Sequence, residues 1–199
     1  MTQRPFSEDL ETWLRSDQPK SLGALADAFE EKSFAVAALL LLSLSALPIP
    51  TGVLTWVFEG LALVVATEMM LGRETLWIPV RLRHKTLSER ITEKAIPFLI
   101  RRVRWFERYS NRRLSRVFGQ GWFTRVLGAV IFLFTLGAMV APPFSGLDTL
   151  PSLGVVIVAL GIILEDLVVL VVGIVVGTGG IVLILALFGA IVRFFQGLS

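Results

Sequence analysis

Five carboxylates stand where carboxylates are costly. Outside residues 1–32 and 73–116 the acidic residues are Glu59, Glu68, Asp148, Glu165 and Asp166, and the basic ones are Arg125 and Arg193 alone. A carboxylate at the centre of an apolar helix costs about 2.5–3.5 kcal/mol on insertion scales and marks a solute path, a proton relay or an ion pair. Glu59 lies deep in an apolar run, seven residues after Gly52, with Thr55 one helical turn before it on the same face. Glu68 precedes Gly72 by four residues, so it can reach an interface or pair with Arg73. Asp148 follows a Pro-Gly turn and can cap the helix entered there. Glu165 and Asp166 fall between two apolar runs, the position of a solvated turn, an ion pair or a coupling site. Because both bases lie near segment ends, an interior site built from these groups is acidic. It suits protons, Na⁺ or a cationic organic solute such as a basic amino acid, and it repels anionic sugars.

Other chemistries have no residues to carry them. There is no cysteine, hence no thiolate nucleophile, disulfide or thiolate metal site. The single histidine, His84, sits among Arg81, Arg83 and Lys85 as a solvated residue, which leaves a histidine metal cluster or a Ser-His-Asp triad without its parts. No metal, cofactor or catalytic set is therefore expected, and the chain is not read as an enzyme.

The elements that must position the carboxylates are apolar and long. Seven charges spread over about 120 residues is far below the roughly 25% charged residues of a soluble domain. Whole helix lengths lack a polar face: residues 124–140 carry one charge near their start and residues 167–192 carry none. A bilayer core of about 30 Å takes roughly 20 apolar helical residues, and these stretches meet or approach that length. Glu8, Asp9 and Glu11 occupy the place of a positive leader region, so the first apolar run is expected to be retained as a membrane segment rather than cleaved. The expected organisation is a polar N-terminal segment (1–32), a membrane hairpin (33–72), a basic linker (73–121), a second hairpin (122–166) and a C-terminal membrane helix or broken helix pair (167–199).

The two hairpins share a pattern. The first apolar run ends in Pro48-Ile49-Pro50-Thr51-Gly52 and the second in Pro142-Pro143-Phe144-Ser145-Gly146. A constant offset of 94 lays Pro48 on Pro142, Thr51 on Ser145, Gly52 on Gly146, Gly60 on Gly154 and Phe29 on Phe123. Ordinary interhelical turns also carry Pro and Gly. Interruptions at corresponding places in two halves, however, are the sequence pointer to a transporter-like site, where unwound backbone meets a solute. The expected solute-binding set is Pro48, Pro50, Thr51, Gly52, Thr55, Glu59, Pro142, Pro143, Ser145, Gly146 and Asp148. Residues 33–47 make only about 22 Å of helix, which points to re-entrant hairpins.

Between the hairpins, residues 73–116 carry thirteen Lys/Arg against four Asp/Glu. Ile96, Leu99, Val103 and Phe106 share one helix face while Arg101, Arg104 and Arg108 share the other, with Trp105 and Tyr109 at the edges. That is a basic amphipathic helix suited to anionic headgroups, and by the positive-inside rule the linker is cytoplasmic. Nucleic acid is not an expected partner. Gly173 and Gly177 in the tail have the spacing of a helix-packing face, consistent with a homodimer, and Gly179-Gly180 can break the tail helix in two.

Residues 47–52, Leu71-Gly72-Arg73 with Trp77-Ile78-Pro79, and the second Pro-Gly hairpin with Gly161 to Asp166 resemble the ExoD family of bacterial membrane proteins. The resemblance covers nearly the whole chain after about residue 20. It implies a link to exopolysaccharide synthesis and no catalytic residue set. The fold class expected is all-α, a polytopic integral protein of the bacterial inner membrane with two related Pro-Gly-interrupted or re-entrant hairpins and a basic amphipathic linker helix. Two functions remain open: a transporter of protons, Na⁺ or a small cationic solute, and a non-transporting accessory or scaffold of an exopolysaccharide synthesis complex.

Overall fold

A computed structural model describes residues 5–29, 32–43, 45–46, 53–73, 75–78, 83–84, 86, 92–93, 96–108, 120–142 and 145–196. Among these, the regular structure is helical: α1 (Phe6–Arg15), α2 (Leu22–Ala28), α3 (Ser33–Leu42), α4 (Val53–Met70), α5 (Ile96–Glu107), α6 (Gly121–Val140), α7 (Thr149–Leu164) and α8 (Leu167–Gln196). The Val- and Ile-rich composition of α7 and α8 is poor helix material in water. In an apolar medium a helix is the one local conformation that pairs every backbone N–H and C=O, and this overrides propensity.

Helices α3 and α4 form one hairpin and α6 and α7 the other, and each hairpin packs on its counterpart. Gly128, near the start of α6, lies against the backbone of Met69 and Met70 at the end of α4. Lys32, just before α3, reaches the end of α7, where its ammonium donates to the Ile163 carbonyl (3.2 Å) and pairs with Glu165 (2.8 Å). Neighbours around the ring α3–α4–α6–α7 are thus antiparallel. The end of α3, the start of α4 and the second Pro-Gly turn (Pro142, Ser145 and Gly146) fall at one end, called here the tip, and the ends of α4 and α7 fall at the other, the base.

Helix α8 turns back from the base and runs along α7. Gly161 meets Leu170, Val158 meets Gly173, Gly154 meets Gly177, and Pro151 meets Gly180, pairs that step in opposite directions along the two helices. Only glycine lets the backbones come this close. The Gly173 and Gly177 face is therefore spent on α7 of the same chain rather than on another copy. Gly179-Gly180 does not break α8, which runs as one helix of 30 residues, pinned at Gly180 against Leu150 and Pro151.

Helix α6 and the Leu167–Ala190 part of α8 are long and apolar enough to cross a membrane, while α3 and α7 are apolar but shorter. Only 33% and 22% of the two long windows are buried, so their side chains mostly point outward, unlike those of a soluble core helix.

The N-terminal segment forms part of the packed structure. Phe6, Leu10 and Trp13 of α1 are buried, as are Ile96, Ile100 and Val103 of α5, and the two helices pack together. Acid meets base around that contact: Glu11 pairs with Arg104, Asp27 with Arg83 (2.7 Å), and the Glu107 carboxylate accepts from the Ser7 N–H (3.1 Å) and hydroxyl. The apolar face of α5, expected to lie in headgroups, is instead covered from within the chain. What it leaves outward is Arg101, Trp105 and Arg108, all exposed.

A candidate cation site at the tip end

Helix α4 turns Thr55, Glu59, Ala62, Ala66 and Met69 inward at intervals of three and four residues, and leaves Trp56, Val57, Leu61 and Val64 outside. That stripe fixes the direction of Glu59. Its side chain is wholly buried (0% exposed), and neither carboxylate oxygen has a hydrogen-bond partner among the described residues. The Ser45 hydroxyl, past the end of α3, neighbours the carboxylate without closing a bond of normal geometry, and it too is buried and unpartnered. Asp148, half-buried at the start of α7, is close enough for its charge to act on Glu59. One turn into α7, the Ser152 hydroxyl is likewise fully buried without a partner.

Buried polar side chains are hydrogen-bonded in the large majority of cases, and among the described residues the exceptions besides Trp13 Nε1 in α1 belong to Glu59, Ser45 and Ser152, all toward the tip. Glu59, with the Ser45 hydroxyl beside it and the Asp148 carboxylate within electrostatic reach, forms a set of acceptors and a weak donor carrying negative charge, which suits a cation. Asp148 occupies the cap position of α7, yet its side chain makes no capping hydrogen bond, which leaves its charge to the site.

The carboxylates at the base are satisfied. Glu68 faces Arg73 (3.7 Å) and accepts the Trp77 backbone N–H (2.8 Å). Glu165 is held by Lys32 in a left-handed conformation (φ 54°) that ends α7, and Asp166 accepts the Val168 N–H (2.8 Å) at the start of α8. These two are buried, so they are not the solvated turn that their position between two apolar runs suggests. Arg125 lies over Gly72 (φ 76°), the left-handed residue that ends α4. Both second helices finish in the same two-bond turn, Arg73 N–H to Glu68 O with Gly72 N–H to Met69 O, and Asp166 N–H to Gly161 O with Glu165 N–H to Ile162 O. In each, a basic residue from the beginning of the other hairpin covers the carbonyl end.

Thr55, Glu59 and Asp148 are therefore brought to the tip end, and Glu68, Arg73, Glu165 and Asp166 to the base. Pro48, Pro50, Thr51, Gly52 and Pro143 lie outside the described residues. Pro142, Ser145 and Gly146 are exposed, and the Ser145 hydroxyl is used within its own turn, donating to the Pro142 carbonyl (2.6 Å) and accepting the Leu147 N–H (3.2 Å). Ser45 and Ser152 carry no sequence signal, since serines in apolar helices usually bond back to the preceding turn, as Ser43 does to Leu39. Among the described residues no group of three or more His, Asp or Glu is placed to hold a metal ion.

A family model described as "Exopolysaccharide synthesis, ExoD" matches residues 6–186. The chain belongs to the ExoD family. The resemblance carried by the Pro-Gly hairpins and their flanks is thus borne out, and with it the association with exopolysaccharide synthesis. An uncharacterized protein of Synechocystis sp., slr1875, is 29% identical over 144 residues, covering 69% of this chain. The aligned part spans 64% of that relative's length. No solved structure matches. The ExoD match takes in α1 through most of α8, so the tip site and the base layer both belong to what the family describes.

Proposed function

We propose that this ExoD-family protein is a small membrane transporter that moves a proton, Na⁺ or a small cationic solute through the tip site, and that it is not an enzyme. The observation that carries this is Glu59, a fully buried carboxylate with no hydrogen-bond partner among the described residues, within electrostatic reach of Asp148 from the other hairpin. A structural carboxylate would be paired, as Glu68, Glu165 and Asp166 are; a transport carboxylate must release its partner on each cycle.

The two hairpins are read as parallel repeats. Helices α4 and α7 run the same way from the tip, end alike at the base and correspond under the sequence offset. Hairpins that stop inside the bilayer fit the lengths. Pro151, at the tip end of α7, is level with Gly180 of α8, about 20 Å of helix beyond Leu167. Helix α8 then continues apolar to Arg193 for about 20 Å more. If Arg193 marks the far interface, the tips end within the hydrocarbon.

The base is read as the cytoplasmic side of a bacterial inner membrane, because it carries the basic linker. Exposed Trp77, Trp105 and Trp122 gather with Arg101 and Arg108 on or beside that layer, a combination that suits anionic headgroups. Asp148, half-buried, would then face the far side and form the mouth of the site.

The test is flux in liposomes holding the pure protein, with a pH-sensitive dye inside and Na⁺ or a basic amino acid supplied outside. Movement above that of protein-free vesicles is expected. Glu59→Gln, of equal size and no charge, should abolish the movement or its dependence on pH while leaving the protein folded. Unchanged flux and pH profile in Glu59→Gln would make Glu59 structural and favour the accessory role in exopolysaccharide synthesis.

A further inference from the structure

The glycine that admits α8 onto α7 has a counterpart that admits nothing. Gly154 of α7 corresponds to Gly60 of α4 under the repeat, and at Gly154 the backbone of Gly177 comes so close that a Cβ could not fit. At Gly60 a Cβ would meet none of the described atoms within 4 Å. Around it Trp56, Val57, Leu61 and Val64 are about half exposed (45–52%), so α4 offers an apolar face with a notch at its centre. The second hairpin is followed at once by a helix that fills its notch, whereas the first is followed by the basic linker. Among the described residues no helix fills the notch beside Gly60.

The outer side of α8 has the matching shape. Gly179 also has no described neighbour within 4 Å, and Val172, Val175 and Val182 around it are exposed (47%, 64% and 58%). Gly179 is two residues from Gly177, which meets Gly154, the counterpart of Gly60, so the two open notches lie at about the same depth in the bundle. Helix α8 runs antiparallel to α7, and a second copy standing the same way up presents α8 antiparallel to α4. Neither face carries a charge that would need a partner.

We propose that a second copy of this chain supplies a helix there, with the Gly179 face of its α8 seated on the Gly60 face of α4. The contact joins two different faces, so it repeats around a small closed ring or, if two copies only, leaves one of each face free. Glycine notches on antiparallel helices let the backbones approach, and dispersion supplies the attraction that water-driven burial cannot supply inside lipid. The inference rests on the two-repeat reading and is independent of what the tip site moves.

The chain has no cysteine, so placed cysteines report cleanly. Two differently tagged copies are co-expressed in the inner membrane, one carrying Gly60→Cys and the other Gly179→Cys, and oxidised in the native membrane. A crosslinked pair containing both tags is expected, and neither variant expressed alone should crosslink to itself. Val57→Cys with Val182→Cys gives a second pair should either glycine variant be poorly made. Crosslinking of Gly60→Cys to itself, or no crosslink with either pair while both copies are present in the membrane, overturns the proposal. Liposome flux on the same variants reads the tip site separately, so a failed crosslink with intact flux discards the ring and leaves the transport reading standing.

Discussion

The tip and the base of this bundle hold the same residue types and treat them in opposite ways. At the base, Glu68 has Arg73 and a backbone N–H, Glu165 has Lys32, and Asp166 caps a helix. At the tip, Glu59 has no hydrogen-bond partner among the described residues, with Ser45 beside it and Asp148 within electrostatic reach. Burial alone does not distinguish the two ends, since Glu68, Glu165 and Asp166 are buried as well. Satisfaction does. A buried carboxylate that is paired holds helices together, and on the proposed reading Glu59 is kept for a cation that binds and leaves.

The largest effect that would break this comparison is on Glu59. Glu59→Gln is expected to reduce flux to the level of empty vesicles. Because it removes an unsatisfied charge, it should leave thermal stability unchanged or raised, by about 1–3 kcal/mol if the whole desolvation penalty is recovered. Thermal unfolding in detergent alongside flux checks both. Loss of stability in Glu59→Gln would mean that the carboxylate is paired in the membrane after all, and the contrast between the ends would disappear.

The next effect separates the two hairpins. A Cβ at Gly177 would enter the ring of Phe134 in α6, so Gly177→Leu should destabilise by about 3 kcal/mol or more through overpacking and separation of α6 from α8. Gly60→Leu, into open space, should cost the single chain nothing and gain about 1 kcal/mol of helix propensity. Unfolding midpoints in detergent rank the pair. Equal destabilisation would show that the Gly60 face is already covered within the chain.

A smaller effect tests the base. Glu165 is a non-glycine residue in a left-handed conformation, a strain of about 1 kcal/mol, held against Lys32. Glu165→Ala keeps the strain and loses the ion pair, and should cost about 1–2 kcal/mol, discounted because Lys32 is partly exposed. Glu165→Gly loses the ion pair but relieves the strain, and should come out close to neutral. Both should retain flux, measured in the same vesicles. Loss of flux in both with stability preserved would move Glu165 from the scaffold to the transport path.

What was legible in the sequence follows from what sequence can encode. The Pro-Gly turns, Glu59 and Thr55 were visible because their spacing lies along the chain. The pairing of Glu68 with Arg73 was visible for the same reason, being five residues apart. The choice of α7 as the partner of Gly173 and Gly177 was not, because a glycine face states that a helix comes close and not which one. Ser45 and Ser152 were not, because a serine in an apolar helix normally satisfies itself. Nor was the covering of α5 by α1: acids in residues 1–32 and bases in the linker are visible as charges, but Glu11 and Arg104 are 93 residues apart and meet only in the fold.

That last contact gives the smallest expected effect. Glu11 pairs with both Arg15 and Arg104 at the surface, where an ion pair is worth roughly 0.2–1 kcal/mol and is screened by salt. Phe6, Leu10 and Trp13, by contrast, are buried against the apolar side of α5 and supply the area that holds α1 down. Glu11→Ala should therefore raise the rate of proteolytic cleavage within residues 1–29 only slightly, and the difference from wild type should vanish in high salt. Trp13→Ala should raise it much more and at every salt concentration, since it opens a cavity of aromatic size whose loss no counter-ion replaces. Mass spectrometry of the cleaved products in detergent measures both. A strong, salt-sensitive effect of Glu11→Ala, equal to that of Trp13→Ala, would mean that charge rather than burial holds α1 on the linker helix, and that an anionic membrane surface could compete it away.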